Sequence, residues 1–149
     1  SLNLLGYDNY LIPDSVIYHK YKFNKSMKQV YWFERNRLWV ILKNYKLGTL
    51  ILIFPCFLIM EIGQLLYAIR NKYFIQKIRS YIWLFSIKQI KILKERRKYI
   101  KKKRIISDRK MINSFSGKIL FQPIDSKILQ ISNFFFNIYY NIIKSLIIW

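Results

Sequence analysis

One continuous apolar run, residues 47–69 (LGTLILIFPCFLIMEIGQLLYAI), constrains what this chain can fold into more than any other feature of its sequence. As a helix, these 23 residues would extend about 34 Å, slightly more than the roughly 30 Å hydrocarbon core of a bilayer. Two of its residues conflict with a simple crossing. Pro55 would kink a helix, and an ionised Glu61 is costly in hydrocarbon unless it is paired. We therefore expect residues 47–69 to be either a transmembrane or a re-entrant segment.

The charges that flank this run favour the re-entrant alternative. Lys43 and Lys46 precede it, and four cations follow it: Arg70, Lys72, Lys77 and Arg79. Because positively charged flanks tend to remain in the cytoplasm, a single crossing would export the more basic half of the chain. A hairpin bent near Pro55 keeps both flanks on the cytoplasmic side. The sequence therefore favours the hairpin and leaves the straight span as the alternative.

The overall composition is typical of a membrane-associated protein. Hydrophobic residues make up 53% of the chain, and 27 Lys/Arg against 7 Asp/Glu give a formal charge of +20. So many apolar residues exclude a disordered chain. The single Cys56 excludes a disulfide scaffold, and one cysteine and one histidine cannot fill a zinc site alone. The chain starts without methionine or a signal-peptide pattern, so we expect it to be the C-terminal part of a longer protein.

Apolar periodicity predicts a mainly α fold around the apolar run. One amphipathic helix is expected over residues 25–46, and basic amphipathic helices are expected over 70–118, with Ser107 and Asp108 starting the last of them. Residues 119–149 are predicted to form a loop and a closing helix. That helix has an amide stripe and a wide aromatic face, which suits an interfacial helix. The stripe consists of Gln130, Asn133, Asn137 and Asn141 and continues to Lys144 and Ser145.

The first 24 residues have a different pattern from the rest of the chain. Gly6 suits the residue after a helical turn, because glycine adopts a left-handed backbone at little cost. Two short runs, 10–12 and 16–18, have β-like composition and are separated by Pro13-Asp14-Ser15, a plausible turn. We therefore expect a small β-containing segment before the helices.

The most basic segment, residues 88–110, has a net charge of +10 and three possible interpretations. Anionic lipid would attract it by about 1 kcal/mol per cation. Nucleic acid is a less favoured partner, because Tyr99 is the only aromatic residue there that could stack on a base. A solvated helix is the third interpretation. Candidate contacts to phosphate or lipid headgroups are Arg96, Arg97, Lys101, Lys102 and Arg104.

The order of several short motifs resembles a known family. The motifs are SLNLLGY (1–7), LIPDSVIYHKY (11–21), FNKS (23–26), ERNRL (34–38), KNY (43–45), the apolar run with Pro55 and Glu61, and RIISD (104–108). In this order they resemble the C-terminal part of membrane-associated family 2 glycosyltransferases of prokaryotic cell-surface polysaccharide synthesis. The resemblance extends over nearly the whole chain.

The resemblance implies that the chain is one part of an enzyme. Residues 1–24 would be the C-terminal edge of an α/β catalytic domain, and the later helices would anchor it at the cytoplasmic face of the cell membrane. Such enzymes, including hexosyl- and rhamnosyltransferases, transfer a sugar from a nucleotide-sugar to a lipid-linked or polysaccharide acceptor. Their Asp-x-Asp motif, which holds Mg or Mn, and their catalytic base would lie upstream of residue 1. This part should therefore hold no cofactor and be inactive alone.

The functional role of His19, and that of Arg35 or Arg37, each has two possible interpretations. The resemblance matches His19 to a histidine that approaches the metal or diphosphate in the full-length enzyme, and the alternative is a packed histidine. Arg35 or Arg37 could contact phosphate, whereas the spacing of Glu34 and Arg37 predicts an intrahelical ion pair.

Structural roles are expected for Glu34, Pro55 and Glu61, with Glu61 either a buried and paired carboxylate or one that reaches the membrane interface along a bent segment. The expected partners are anionic lipids and, through the full-length enzyme, a lipid-linked sugar acceptor. A stand-alone basic protein that binds membrane surfaces or nucleic acid is the rival hypothesis.

Overall fold

The computed structural model describes residues 1–10, 12–16, 18, 27–119 and 127–149. Within these ranges it is mainly helical, as predicted, and it contains no strand. The helices are α1 (Met27–Asn44), α2 (Leu47–Arg70), α3 (Phe74–Leu84), α4 (Ile87–Lys103), α5 (Asp108–Asn113) and α6 (Lys127–Leu146).

Helices α1, α2 and α3 pack together as the centre of the fold. Short connections, residues 45–46 and 71–73, make α2 run back along α1 and α3 run back along α2. Consequently α1 and α3 lie side by side in the same direction. Glu34 contacts Lys77 near the start of α3, and Trp39 packs on Trp83 near its end, with ring centroids 5.3 Å apart.

Residues before α1 attach to the far end of α4. A 3-10 turn, Asn3–Leu5, ends at Gly6, whose φ of 85° is the predicted left-handed conformation. The buried Leu4 accepts backbone hydrogen bonds through its carbonyl from the N–H groups of Ile105 (2.8 Å) and Ile106 (3.2 Å). This contact fixes the chain's first residues beside the connection between α4 and α5.

The predicted β-containing segment does not occur in the described part of residues 1–24. Residues 10, 12–16 and 18 form turns or irregular backbone. A strand needs a neighbour to satisfy its N–H and C=O groups, and none pairs with these residues in the described ranges. Leu11, Ile17 and 19–24 lie outside the described residues.

Helix α2 is continuous and does not contain the hairpin favoured near Pro55, whereas its position relative to a membrane stays a prediction. The helix includes Pro55 within its 24 residues. Proline cannot donate a hydrogen bond to the carbonyl one turn earlier, yet the helix continues on both sides of it. In the turn before the proline, the Tyr139 hydroxyl of α6 donates to the Leu52 carbonyl at 2.6 Å.

A buried polar contact holds the start of α2 against the end of the chain. Asp108 and Thr49 are fully buried. The Asp108 carboxylate accepts from the Lys46 N–H at 2.8 Å and from the Thr49 hydroxyl at 2.6 Å. The Trp149 indole N–H donates to Thr49 Oγ1 at 2.9 Å. The prediction that Ser107 and Asp108 start a helix is also confirmed, because Ser107 Oγ accepts from the Lys110 N–H at 3.1 Å.

Two glycines of α2 provide a matched test of this contact. A Cβ on Gly48 would lie 2.7 Å from Trp149 Cζ2, whereas a Cβ on Gly63 would meet nothing within 4 Å. Gly48→Ala should therefore lower the free energy of unfolding by about 1–3 kcal/mol through overpacking. Gly63→Ala should raise it by up to about 1 kcal/mol through helix propensity. Urea unfolding measures both, and equal stabilisation by the two substitutions would mean that Trp149 does not dock on α2.

Candidate functional site

One face of α2 is largely exposed, and most of its side chains are apolar. Among the described helices, α2 alone has the length and apolar composition to cross a membrane, and only 11% of its most apolar stretch is buried. Its exposed apolar side chains recur every three or four residues and so form one stripe along the whole helix. We call this set the α2 stripe: Leu47, Ile51, Phe54, Leu58, Ile59, Ile62, Leu66 and Ile69.

Helix α6 presents a second open stripe beside the first. The α6 stripe consists of Ile131, Phe134, Phe135, Ile138, Ile142 and Leu146, all largely exposed. Contiguous exposed apolar surface of this kind is rare on soluble monomers and marks an interaction or membrane surface. Because α6 contacts α2 through Tyr139, the two stripes belong to neighbouring helices.

Part of the amide stripe predicted for the closing helix forms hydrogen bonds with another segment of the chain. Asn133 accepts from the Ile119 N–H at 2.7 Å and donates to the Ile119 carbonyl at 3.1 Å. The Tyr140 hydroxyl lies 2.7 Å from the Ile112 carbonyl oxygen and 2.9 Å from that of Phe115. The segment before residue 120 therefore covers this side of α6. Asn141, further along, is exposed.

Four charged side chains meet between α1, α2 and α3, and we call them the ion cluster: Glu34, Arg37, Glu61 and Lys77. Lys77 is fully buried, and its Nζ lies 2.7 Å from Glu34 Oε2 and 3.2 Å from Glu61 Oε2. Arg37 binds both carboxylates, and its distance to Glu34 Oε2 is 3.0 Å. The Tyr81 hydroxyl donates to Glu61. Glu61 is thus the buried and paired carboxylate that the sequence predicts, and the Glu34–Arg37 pair also forms.

The electrostatics of the ion cluster favour a structural role. Burial alone would lower the pKa of Arg37, but hydrogen bonds and charge from Glu61 and Glu34 outweigh it, and the pKa is raised. Burial, together with the hydrogen bond to Glu61, raises the pKa of the Tyr81 hydroxyl well above its usual range. Two cationic side chains thus face two carboxylates, and each of the four has a partner of opposite charge.

Three of the residues predicted to contact phosphate, Arg35, Arg96 and Lys102, lie at separate places in the structure. The Arg35 guanidinium lies over the rings of Trp32 and Trp83, with its Cζ 3.9 Å and 4.4 Å from their centroids. Arg96 and Lys102 are exposed on α4. His19 lies outside the described residues. Within the described part of the chain, no three His, Cys, Asp or Glu side chains are grouped so that they could hold a metal.

Three of the predicted phosphate contacts, in contrast, come together. Arg97, Lys101 and Arg104 line one cleft of about 460 Å³. The cleft also includes Lys43, Lys46 and Lys98, which we did not identify from the sequence as phosphate contacts. The signal available in the sequence was the basic character of both flanks of α2, since Lys43 and Lys46 immediately precede that helix.

Comparisons with protein-family models, with curated proteins and with solved structures find no match to this chain.

Proposed function

We propose that this chain anchors a protein at an anionic membrane surface, with α2 and α6 lying in the plane of one leaflet. The observation that carries the proposal is the uncovered α2 stripe, which extends along a continuous 24-residue helix. An amphipathic helix buries such a face about 5–10 Å into the boundary between headgroups and acyl chains. The α6 stripe, on a helix that contacts α2, adds a second exposed apolar face.

The packing of α2 favours an in-plane position over a crossing. Helices α1 and α3 lie along the covered face of α2, and both carry charged side chains, including Arg35 and Arg79. A crossing α2 would draw these helices into hydrocarbon, where each charge costs about 2.5–3.5 kcal/mol on insertion scales. An in-plane α2 leaves its covered face, with α1 and α3, on the aqueous side.

The charge distribution supports an anionic surface as the partner. The chain carries a net charge of +20, and cations near anionic lipid contribute about 1 kcal/mol each. Because both flanks of α2 are basic, the positive-inside rule favours the cytoplasmic face of the cell membrane. An in-plane helix keeps both flanks on that one side.

The enzymatic part of the proposal rests on the resemblance alone. We propose that this chain is the membrane-anchoring C-terminal part of a family 2 glycosyltransferase, which positions an active site near a lipid-linked or polysaccharide acceptor. The metal, the nucleotide-sugar and the β-containing edge at residues 1–24 belong to that hypothesis. The gene upstream of Ser1 should then encode an Asp-x-Asp motif and a Glu-Asp pair. A start codon directly before Ser1 would contradict this part and leave the anchoring proposal in place.

Vesicle sedimentation at high salt tests the anchoring proposal. We expect the chain to stay bound to vesicles in about 1 M NaCl, where the Debye length is only about 3 Å, because apolar burial does not depend on charge attraction. Full release at that salt would contradict anchoring. Binding to RNA or DNA with a steep salt dependence, combined with that release, would favour the nucleic-acid alternative.

A further inference from the structure

The cleft between α1, α2 and α4 is lined mainly by cations. It lies between the C-terminal end of α1, the start of α2 and the last turns of α4, and its volume of about 460 Å³ is within the roughly 300–1,000 Å³ of ligand pockets. Six of its nine lining residues are basic: Lys43, Lys46, Arg97, Lys98, Lys101 and Arg104. No carboxylate is among the described residues that line it. We call it the basic cleft.

The two arginines of the basic cleft already have partners, whereas its four lysines do not. Arg97 donates to the Leu42 carbonyl, and Arg104 donates to the Ile106 carbonyl at 3.0 Å and pairs with Asp108. In the described part of the chain, the four lysine ammonium groups form no ion pair. Three of the four residues, Lys46, Lys98 and Lys101, are exposed. The arginines thus shape the cleft, and the lysines are free to bind an anion.

Asp108 is the counter-ion of Arg104, and backbone dipoles favour two of the remaining cations. The C-terminal ends of α1 and α4 carry partial negative charge, which favours Lys43 and Lys101 in their last turns. On the other side of the cleft, at the start of α2, the Lys46 N–H already donates to the Asp108 carboxylate. Like charges on a concave surface concentrate the potential and attract anions, so an anion would relieve their mutual repulsion.

We propose that the basic cleft binds a phosphate-bearing anion, with Lys43, Lys46, Lys98 and Lys101 as its ligands. Hydrogen bonds from ammonium groups to phosphate oxygens are charge-assisted and strong. The α2 stripe begins at the rim of the cleft with Leu47, so a lipid with a phosphate headgroup could extend its chains along the exposed Leu47 and Ile51. A lipid source rests on the proposed function, whereas a free phosphate compound does not.

Binding of inorganic pyrophosphate and of phosphatidic-acid vesicles to the full chain tests the basic cleft. The cleft variant is Lys98→Gln with Lys101→Gln. The matched control is Lys91→Gln with Lys94→Gln, which removes two exposed lysines of the same helix at the same spacing. We expect the cleft variant to weaken binding at least about tenfold and the control to weaken it less than about twofold.

The two probes separate the sources of the phosphate. A cleft-dependent loss for both probes, or for pyrophosphate alone, supports a phosphate site open to soluble compounds. A cleft-dependent loss for phosphatidic-acid vesicles alone supports a lipid headgroup. Equal weakening by both variants would mean diffuse attraction and overturn the inference, as would no binding of either probe. Binding to neutral phosphatidylcholine vesicles in about 1 M NaCl reports on anchoring separately, because the cleft lysines do not contribute to it.

Discussion

Lys77→Met is expected to lower the free energy of unfolding by about 3–5 kcal/mol, the usual result of removing one partner from a buried ion pair. Lys77 is fully buried, and its Nζ contacts Glu34 Oε2 at 2.7 Å and Glu61 Oε2 at 3.2 Å. Methionine has a similar length but no charge, so two carboxylates would share Arg37 alone. Urea unfolding in a non-ionic detergent, followed by far-UV circular dichroism, measures the change.

Two further variants separate this effect from a general loss of a lysine. Lys88→Met, on the exposed surface of α4, should change stability by less than about 0.5 kcal/mol. Adding Glu34→Gln to Lys77→Met should restore part of the lost stability, because it removes the unbalanced carboxylate, and the difference measures their coupling. If Lys77→Met is as mild as Lys88→Met, the ion cluster does not hold α1, α2 and α3 together.

Ile59→Ser combined with Ile62→Ser is expected to weaken binding to neutral vesicles by about 10²- to 10⁴-fold. Both side chains belong to the α2 stripe and are 59% and 53% exposed. Full burial of each isoleucine in the acyl region contributes about 1.5–3 kcal/mol, and every 1.4 kcal/mol is about tenfold in affinity. Stability in detergent should change little, because both residues lie on the uncovered side of α2. Vesicle sedimentation measures the binding.

The matched control replaces two isoleucines that are at least as exposed but lie elsewhere. Ile82 in α3 and Ile87 at the start of α4 are 66% and 76% exposed. Each has a cation nearby, with Arg79 one turn before Ile82 and Lys88 directly after Ile87. Ile82→Ser with Ile87→Ser should therefore weaken vesicle binding by less than about threefold, since neither residue belongs to the α2 stripe or the α6 stripe. An equal loss in both double variants would mean that binding depends on total hydrophobicity and not on the α2 stripe.

Features set by neighbouring residues were the ones predictable from the sequence. Gly6 ends a helical turn and Ser107 caps a helix because these preferences act within a few residues. The periodicity over residues 25–46 predicts α1 for the same reason. Glu61 was predicted to be paired because an unpaired carboxylate in an apolar helix is costly, although that argument could not name its partners.

Features set by packing between distant segments were not predictable in the same way. Lys77 lies 43 residues from Glu34, and only the antiparallel arrangement of α1, α2 and α3 brings them together. Continuity of α2 through Pro55 was likewise not predictable, because proline in a helix interior removes a backbone hydrogen bond. The basic cleft combines Lys43 with Lys98, and periodicity within either helix contains no information about that contact.

Depth measurements along α2 test the in-plane position most directly. Spin labels on cysteines at Ile51, Leu58 and Ile69, in a Cys56→Ser background, sample the exposed stripe over about 27 Å of helix. Cys56 is the only cysteine of the chain, so each label occupies a single position. An in-plane α2 predicts that all three labels lie at a similar depth of about 5–10 Å. A label at Leu58 near the bilayer centre, with those at Ile51 and Ile69 near opposite surfaces, would contradict it.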